Sequence, residues 1–230
     1  MNTTYTDVTV LLDKSQSMAE LVDETIGGFN GFLDRQKQNS KDTGNRCEVQ
    51  LIQFDNLYEP GPRYDVIRHP ALSRDGYTPR GNTALLDALG RAIDETGKRL
   101  AAIPEDKRPG KVLFVVLTDG LENASQHFSA QQIREKITLQ QDAYRWDFIY
   151  LGANQDAWAV GQQYGFQPGK TLSTAGNAAG TQHAFRAASA YVVGTTNAPS
   201  AAVAMTNAFA PEDVAAARHA SNTGAGEAHI

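Results

Sequence analysis

Cysteine is almost absent from this chain. Cys47 is the only one, which excludes a disulfide framework within one chain and any zinc site built from several thiolates. No apolar run approaches the roughly 20 residues that a membrane-spanning helix requires. The first residues contain neither a basic segment nor an apolar stretch typical of a secretory signal. We therefore expect a cytoplasmic protein that does not associate with membranes.

An excess of positive charge is also lacking. The 230 residues include 21 Lys and Arg against 26 Asp and Glu, which gives a formal net charge of −5. Such a balance provides no general attraction for phosphate backbones, so we expect no nucleic-acid partner. With 41% hydrophobic and 20% charged residues, the composition is typical of a globular protein. It does not indicate the oligomeric state.

Strand-like runs alternate with helical patterns along the chain. The runs are "VTVLL" (8–12), "EVQLIQF" (48–54), "KVLFVVL" (111–117) and "WDFIYLG" (146–152). This alternation predicts an α/β fold, and the continuous apolar run "VLFVVL" is typical of a central parallel strand covered on both faces. We predict a three-layer α/β/α sandwich with a Rossmann-like, largely parallel sheet. A Pro-Gly-Pro turn within residues 58–67 predicts one short antiparallel edge strand.

Apolar residues at helical spacing predict the intervening helices. Two faces are especially regular: Val22, Ile26, Phe29 and Leu33, and then Leu85, Leu89, Ala92, Thr96 and Leu100 after the cap-like pair Asn82-Thr83. Further helices are expected over 129–142, 156–164 and 180–193. The glycines of "IGGFNGF" lie inside the first helix, where we expect them to allow close packing against the sheet.

The composition changes near residue 196. We predict a domain over 1–196 and an alanine-rich C-terminal tail over 197–230, with one short helix in "PEDVAAARHA". Alanine-rich sequence buries little area per residue, which is too little to offset the cost of ordering the backbone. We therefore expect the tail to be peripheral and its removal at Asn197 to leave thermal stability nearly unchanged.

Oxygen-bearing side chains follow the predicted strands at three places. Asp13, Ser15 and Ser17 come after the first strand, Asp119 follows the strand at 111–117, and Thr83 precedes a helix. Ligands of open parallel sheets bind beyond the carboxyl ends of the strands, so these side chains are expected to meet there. Hydroxyl and carboxylate oxygens suit Mg²⁺, with Mn²⁺ or Ca²⁺ as alternatives.

The order of these residues resembles a known family. Asp13-x-Ser15-x-Ser17, a threonine about midway and a strand-terminal Thr-Asp-Gly are similar to the metal-ion-dependent adhesion site (MIDAS) of von Willebrand factor A (VWA) domains. The resemblance, to a small prokaryotic or phage type, runs from about residue 4 to about residue 193. It implies that Ser15, Ser17 and Thr83 supply hydroxyl ligands, and that Asp13 and Asp119 coordinate directly or through water.

The resemblance further implies a binding module rather than an enzyme. Neutral hydroxyl ligands leave much of the cation's charge uncompensated, and an open coordination position then attracts an outside anionic oxygen. In this family that oxygen usually comes from an Asp or Glu of a protein partner. Relatives that work beside AAA+ ATPases make an adaptor subunit the alternative function.

Other functions fit the residues less well. A metal-assisted phosphoryl-transfer enzyme would need a second acid next to Asp13, where Lys14, Ser15 and Gln16 stand instead. A serine-hydrolase elbow needs glycines flanking the serine, and neither serine has them. Four nearby residues are candidates for the rim of the site or for local capping: Tyr77, Arg80, Glu122 and Asn123. We expect Lys14 to point away from the metal.

Overall fold

A six-stranded mixed sheet forms the centre of the computed structural model, which describes residues 1–153 and 156–216. The strands are β1 (Asn2–Asp13), β2 (Arg46–Phe54), β3 (Tyr58–Asp65), β4 (Pro109–Thr118), β5 (Asp147–Ala153) and β6 (Thr171–Thr174). Their spatial order is β3-β2-β1-β4-β5-β6. All neighbouring pairs are parallel except β2 and β3, which are antiparallel. The predicted largely parallel sheet with one antiparallel edge strand is therefore confirmed.

Helices cover both faces of this sheet. They are α1 (Val22–Thr43), α2 (Leu85–Ala101), α3 (Ala130–Tyr144), α4 (Ala157–Tyr164), α5 (Ala178–Asn197) and the short α6 (Ala201–Ala204). One apolar cluster joins α1 and α5 to the sheet, and a second joins α2, α3 and α4 to its other face. In β4, Leu113 and Val115 belong to the first cluster, whereas Phe114 and Val116 belong to the second. This double coverage explains the uninterrupted apolar run and confirms the three-layer sandwich.

The edge strand β3 differs from the prediction in one detail. Pro60, Gly61 and Pro62 lie within the strand, and the turn of the hairpin is formed by residues 55–57. The two prolines are tolerated because an edge strand can lack backbone N–H donors on one side. The register shifts between Gln50 and Ile52, where the proline pair faces β2.

The strand order creates a crevice between β1 and β4. The chain passes from β1 to β2 on one side of the sheet centre and later adds β4 on the other side. Connections that diverge in this way leave a gap at the carboxyl ends of the two central strands, where ligands of such sheets bind. Asp13 ends β1, and Asp119 directly follows the last residue of β4.

The segment after α5 returns to the body of the protein. Ala204 and Phe209 are buried, and residues 211–216 are helical. The predicted wholly peripheral tail is thus wrong at Phe209, which belongs to the α1–α5 core cluster. The remainder of the predicted helix in "PEDVAAARHA" lies outside the described residues. Among the helices described in 1–153 and 156–216, no helix combines the length and the apolar character that crossing a membrane requires.

Candidate metal centre

Asp13 occupies the base of the crevice. The pairing of Leu12 with Leu117 places the end of β1 beside Thr118, the last residue of β4. The Thr118 hydroxyl donates a hydrogen bond to Asp13 Oδ2, and the Ser15 backbone N–H donates to Asp13 Oδ1 over 2.7 Å. Both carboxylate oxygens therefore have a donor, although the side chain is fully buried. These bonds fix the orientation of the carboxylate.

A chain of hydroxyl contacts connects Asp13 to Asp119. The Ser15 Oγ lies 3.0 Å from the Ser17 Oγ, and the Ser17 hydroxyl donates to Asp119 Oδ1 over 2.6 Å. Ser15 is buried, whereas Ser17 is exposed to solvent. The site consequently has a closed base and an open outer side.

Thr83 reaches the same place through a loop fixed on two sides. On the β1 side, the Arg80 N–H donates to the Lys14 carbonyl over 2.8 Å, and the Gln16 N–H donates to the Gly81 carbonyl over 3.1 Å. On the β4 side, Asn123 Oδ1 accepts the Thr83 N–H at 2.9 Å, while the Asn123 N–H donates to the Thr83 carbonyl at 3.1 Å. Thr83 is thereby buried between the two central strand ends.

The space in front of Gly120 shows how closely the oxygens converge. A Cβ atom built on Gly120 would lie 2.9 Å from Thr83 Oγ1, 3.4 Å from Ser17 Oγ and 3.8 Å from Asp13 Oδ2. Ser15 and Asp119 join this group through their contacts with Ser17. The structure therefore brings all five predicted site residues together, although they come from three separate parts of the sequence.

Burial acts on both carboxyl groups of the site. Burial raises the pKa of Asp13 to about 6; the neighbouring Asp119 charge adds to the rise, while hydrogen bonds from Thr118 and Ser15 oppose it. Burial also raises the pKa of Asp119, against the hydrogen bond from Ser17. A cation bound between the two acids would favour the charged form of both carboxyl groups.

The donor set contains oxygen alone. Within the described residues, no three or more His, Cys, Asp or Glu side chains gather into a possible metal-binding group. The site instead combines two carboxylates with three hydroxyls, and its other close neighbour is the Thr118 hydroxyl. Hard oxygen donors suit Mg²⁺, whereas structural zinc sites favour nitrogen and sulfur. The residues present fit a divalent cation of the magnesium type.

Of two residues that the sequence offered as candidates for the rim, only Arg80 lies there. Tyr77 is buried, and its hydroxyl donates to the Asp13 carbonyl over 2.6 Å, so it supports the base of the site. Arg80 is exposed at the rim, where its guanidinium pairs with Asp55 and Glu59. Lys14 pairs with Glu59 and is buried, as expected for a side chain pointing away from the site.

The start of α2 differs from the predicted cap at Asn82 and Thr83. Neither Asn82 nor Thr83 caps this helix; its N-cap is Ala84, which makes no side-chain cap bond. The free N–H groups at the start of α2 donate instead to side chains of the loop after β4. The Leu86 N–H donates to Glu122 Oε2, and the Asp87 N–H donates to the Ser125 Oγ. Glu122 and Asn123 therefore act in capping and loop fixation. Because these bonds join residues 36 to 40 positions apart, the local sequence contained no signal for them.

Comparisons with known proteins identify the fold. No protein-family model and no curated protein matches the sequence. Among solved structures, proximal thread matrix protein 1 of the mussel byssus has a TM-score of 0.55 at 14% identity over 82% of this chain and 46% of that chain. Another structure of that protein, with a zinc-occupied MIDAS motif, has a TM-score of 0.56.

Two bacterial pilus proteins are also similar. The pilus adhesin SpaC of Lactobacillus rhamnosus GG has a TM-score of 0.61 at 13% identity over 83% of this chain and 31% of that chain. The PilB minor pilin of Streptococcus sanguinis has a TM-score of 0.57 at 12% identity over 82% and 61%. This chain therefore spans 46% of the mussel protein, 31% of the adhesin and 61% of the minor pilin. At such identities the likeness concerns the fold alone, and the chain has a VWA-like α/β sandwich.

Proposed function

We propose that this chain is a metal-dependent protein-binding module with an intact MIDAS. Asp13, Ser15, Ser17, Thr83 and Asp119 would hold the cation. The observation that carries the proposal is the convergence of Thr83, Ser17 and Asp13 oxygens on the space in front of Gly120. The three side chains come from separate parts of the sequence, and their convergence on one space supports a bound cation there.

Mg²⁺ is the proposed cation, with Mn²⁺ or Ca²⁺ as alternatives. The oxygen-only donor set and the two neighbouring carboxyl groups support this choice. The mussel protein with zinc in its MIDAS motif supports a divalent cation at this position of the fold. When bound, the cation would supply positive charge and an open coordination position at the exposed side of the site.

The proposed partner is a protein that offers an Asp or Glu carboxylate. Ser17 lies at the exposed side of the group, so an outside oxygen can approach there, whereas Asp13, Ser15 and Thr83 close the base. The chain's own residues would orient the site through the Thr118, Tyr77 and Asn123 hydrogen bonds. Recognition of a carboxylate in this way needs no chemical step, and we propose a binding protein rather than an enzyme. A cytoplasmic location stays a prediction from the sequence.

Metal binding provides the first test. Calorimetric titration with Mg²⁺ and Mn²⁺ should show one site in the natural chain and none in Asp13→Ala or Asp119→Ala. Thr83→Ala should weaken binding, since one hydroxyl ligand is lost. Asp34→Ala is a matched control, because Asp34 is an exposed acid on α1. Unchanged metal affinity in the three site variants would reject the site.

Partner capture provides the second test. Affinity capture from a native lysate should retain a protein in Mg²⁺ and release it in chelator. Changing each exposed Asp or Glu of that protein to its amide should identify one acid whose loss abolishes binding. Equal affinity in chelator, or indifference to every amide substitution, would show that the partner is not held through a metal.

A further inference from the structure

A second cavity lies at the β3 edge of the sheet. It has a volume of about 330 Å³ and is lined by residues of α1, β2, β3 and the segment 69–72. Cavities that hold small molecules in proteins begin at about this volume. None of the five proposed metal ligands lines this cavity. We call it the edge cavity.

His69 contributes a buried hydrogen-bond acceptor to the wall of the edge cavity. The side chain is only 8% exposed, and its Nδ1 lies 2.8 Å from the Pro70 carbonyl oxygen. A carbonyl oxygen can only accept, so Nδ1 carries the proton and Nε2 is an acceptor. Burial lowers the pKa of His69, which favours this neutral form. Nε2 is buried and has no hydrogen-bond partner among the described residues.

Gln53 contributes a second acceptor to the same wall. Its Nε2 donates to the Gly76 carbonyl over 2.9 Å, which fixes the orientation of the side-chain amide. The Oε1 atom is buried, and the part of the chain that the structure describes offers it no partner. A buried acceptor without a partner costs free energy, which a donor from a ligand would recover. Both atoms therefore favour a ligand that donates hydrogen bonds.

The backbone of the wall is poor in donors. Pro60, Pro62 and Pro70 line the cavity, and proline has a carbonyl oxygen but no N–H group. The Leu72 N–H already donates to Asn30 Oδ1 over 2.7 Å. A carboxylate or a phosphate, whose oxygens need donors, would thus find little to bind in this cavity.

The rest of the wall is apolar and partly aromatic. Phe29 and Tyr64 flank the His69 ring edge-on, with ring centroids 5.9 Å and 5.2 Å from it. The flat faces of these rings suit a planar ligand. The segment 69–72 is also held in place, because Asn30 bonds both the N–H and the carbonyl of Leu72. The wall is therefore formed before a ligand arrives, which lowers the cost of binding.

The charge of the wall is compensated. Among the described residues that line the cavity, Glu59 is the one charged residue, and it is already paired with Lys14 and Arg80. A neutral ligand is therefore favoured over an ionic one. We propose that the edge cavity binds a small neutral aromatic molecule that donates N–H hydrogen bonds to His69 Nε2 and Gln53 Oε1. This site is independent of the proposed metal-bridged function.

A matched pair of probes tests the requirement for a donor. Benzamide carries an N–H donor group on an apolar ring, whereas N,N-dimethylbenzamide has the same ring and carbonyl group without any donor. Binding of each to the natural chain is followed by two-dimensional NMR. We expect benzamide to bind with a Kd on the order of 1 mM and the dimethyl compound roughly tenfold more weakly, the effect of one buried hydrogen bond. The amide signals of Leu51, Tyr64 and Leu72 should shift.

Variants of the two acceptors locate the effect. His69→Phe keeps a ring beside Phe29 and Tyr64 but removes Nε2, so it should weaken benzamide about tenfold and leave the dimethyl compound nearly unchanged. Gln53→Met keeps the length of the side chain, removes Oε1 and should act in the same direction. His127→Phe is the matched control, because His127 is exposed in the loop after β4.

The comparison of the two probes on the natural chain does not depend on the folding of any variant. Equal affinities of the two compounds would overturn the proposal, as would equal weakening of benzamide by His69→Phe and His127→Phe. Absence of shifts at tens of millimolar benzamide, or shifts confined to another surface, would overturn it too. Binding should be the same in Mg²⁺ and in chelator; loss of benzamide binding in chelator would place the probe at the metal centre and reject the edge cavity.

Discussion

Gly120 leaves the central space of the candidate site free. It is the residue directly after Asp119, and any side chain there would point at three of the proposed ligand oxygens. The nearest contact, 2.9 Å from an added Cβ to Thr83 Oγ1, is shorter than carbon and oxygen atoms normally tolerate. A glycine is required here for space.

We therefore predict that Gly120→Ala lowers the affinity for Mg²⁺ at least tenfold, because the methyl group would displace Thr83 or fill the cation's position. The fold should be retained, since the change lies in the loop after β4 and outside the apolar core. Gly27→Ala is the control, because an added Cβ at Gly27 has no neighbour within 4 Å. Calorimetric titration of both variants measures the effect; equal affinities would place the cation elsewhere.

Asp13 gives the metal-free protein a dependence on pH. Burial raises the pKa of Asp13 from 3.8 to about 6, so the folded protein binds this proton more tightly than the unfolded chain does. The stabilising contribution of the protonated acid is complete below about pH 4 and is lost as the pH rises to about 6. The difference between 3.8 and about 6 corresponds to about 3 kcal/mol as an upper figure.

We predict that the free energy of unfolding in chelator falls between about pH 4 and pH 6 relative to Asp13→Asn. The amide can accept from the Ser15 N–H and donate to Thr118, so it keeps both hydrogen bonds without a charge. Denaturant unfolding of both proteins across this range gives the difference, which cancels the titration of other acids. A constant difference would mean that the pKa of Asp13 is the same in the folded and the unfolded protein.

At the scale of elements, one of the three glycines of α1 is explained by a neighbouring helix. The sequence predicted close packing of α1 against the sheet, but a Cβ on Gly28 would lie 2.2 Å from the Phe185 ring of α5. The aromatic ring occupies the space that the missing side chain leaves. Gly27 and Gly31, by contrast, have open space at their Cβ positions.

Gly28→Ala should consequently destabilise the protein by about 1 to 3 kcal/mol, the usual cost of overpacking a well-filled contact. Gly27→Ala should instead be neutral or stabilising by up to about 1 kcal/mol, because alanine is the better helix former. Chemical denaturation of the pair measures both changes. Stabilisation by both substitutions would show that Phe185 moves aside without cost.

At the scale of the whole molecule, the segment after α5 is joined to the sheet by polar as well as apolar contacts. The buried Lys111 of β4 donates to the carbonyls of Thr196 and Ala198 at 2.7 Å and 2.6 Å. The Phe209 N–H donates to the Gly169 carbonyl over 3.0 Å, and the Phe209 ring lies 5.4 Å from the Tyr191 ring of α5. The segment through Phe209 thus completes one layer of the core.

Phe209→Ala should lower the free energy of unfolding by about 3 to 5 kcal/mol, the range for removing a buried phenylalanine. Val203→Ala in the same segment is the control, since Val203 is 46% exposed and should change stability by less than about 0.5 kcal/mol. Truncation at Asn197, expected from the sequence to be harmless, should now lower the thermal midpoint. Equal stability of the two point variants would show that Phe209 contributes nothing to the stability of the core.

The sequence alone determined the layers of the fold and the residues of the candidate site. Periodicity identified α1 and α2, the apolar run identified β4 as central, and the positions after the strands identified Asp13 and Asp119, because these signals are local. Only the tertiary structure decided which atoms meet across long separations. The Asn123 bonds to Thr83, the burial of Tyr77 beneath Asp13, the Gly28 contact with Phe185 and the burial of Phe209 join residues far apart in sequence. Such contacts depend on how the packed layers align, which the spacing of residues along the chain does not encode.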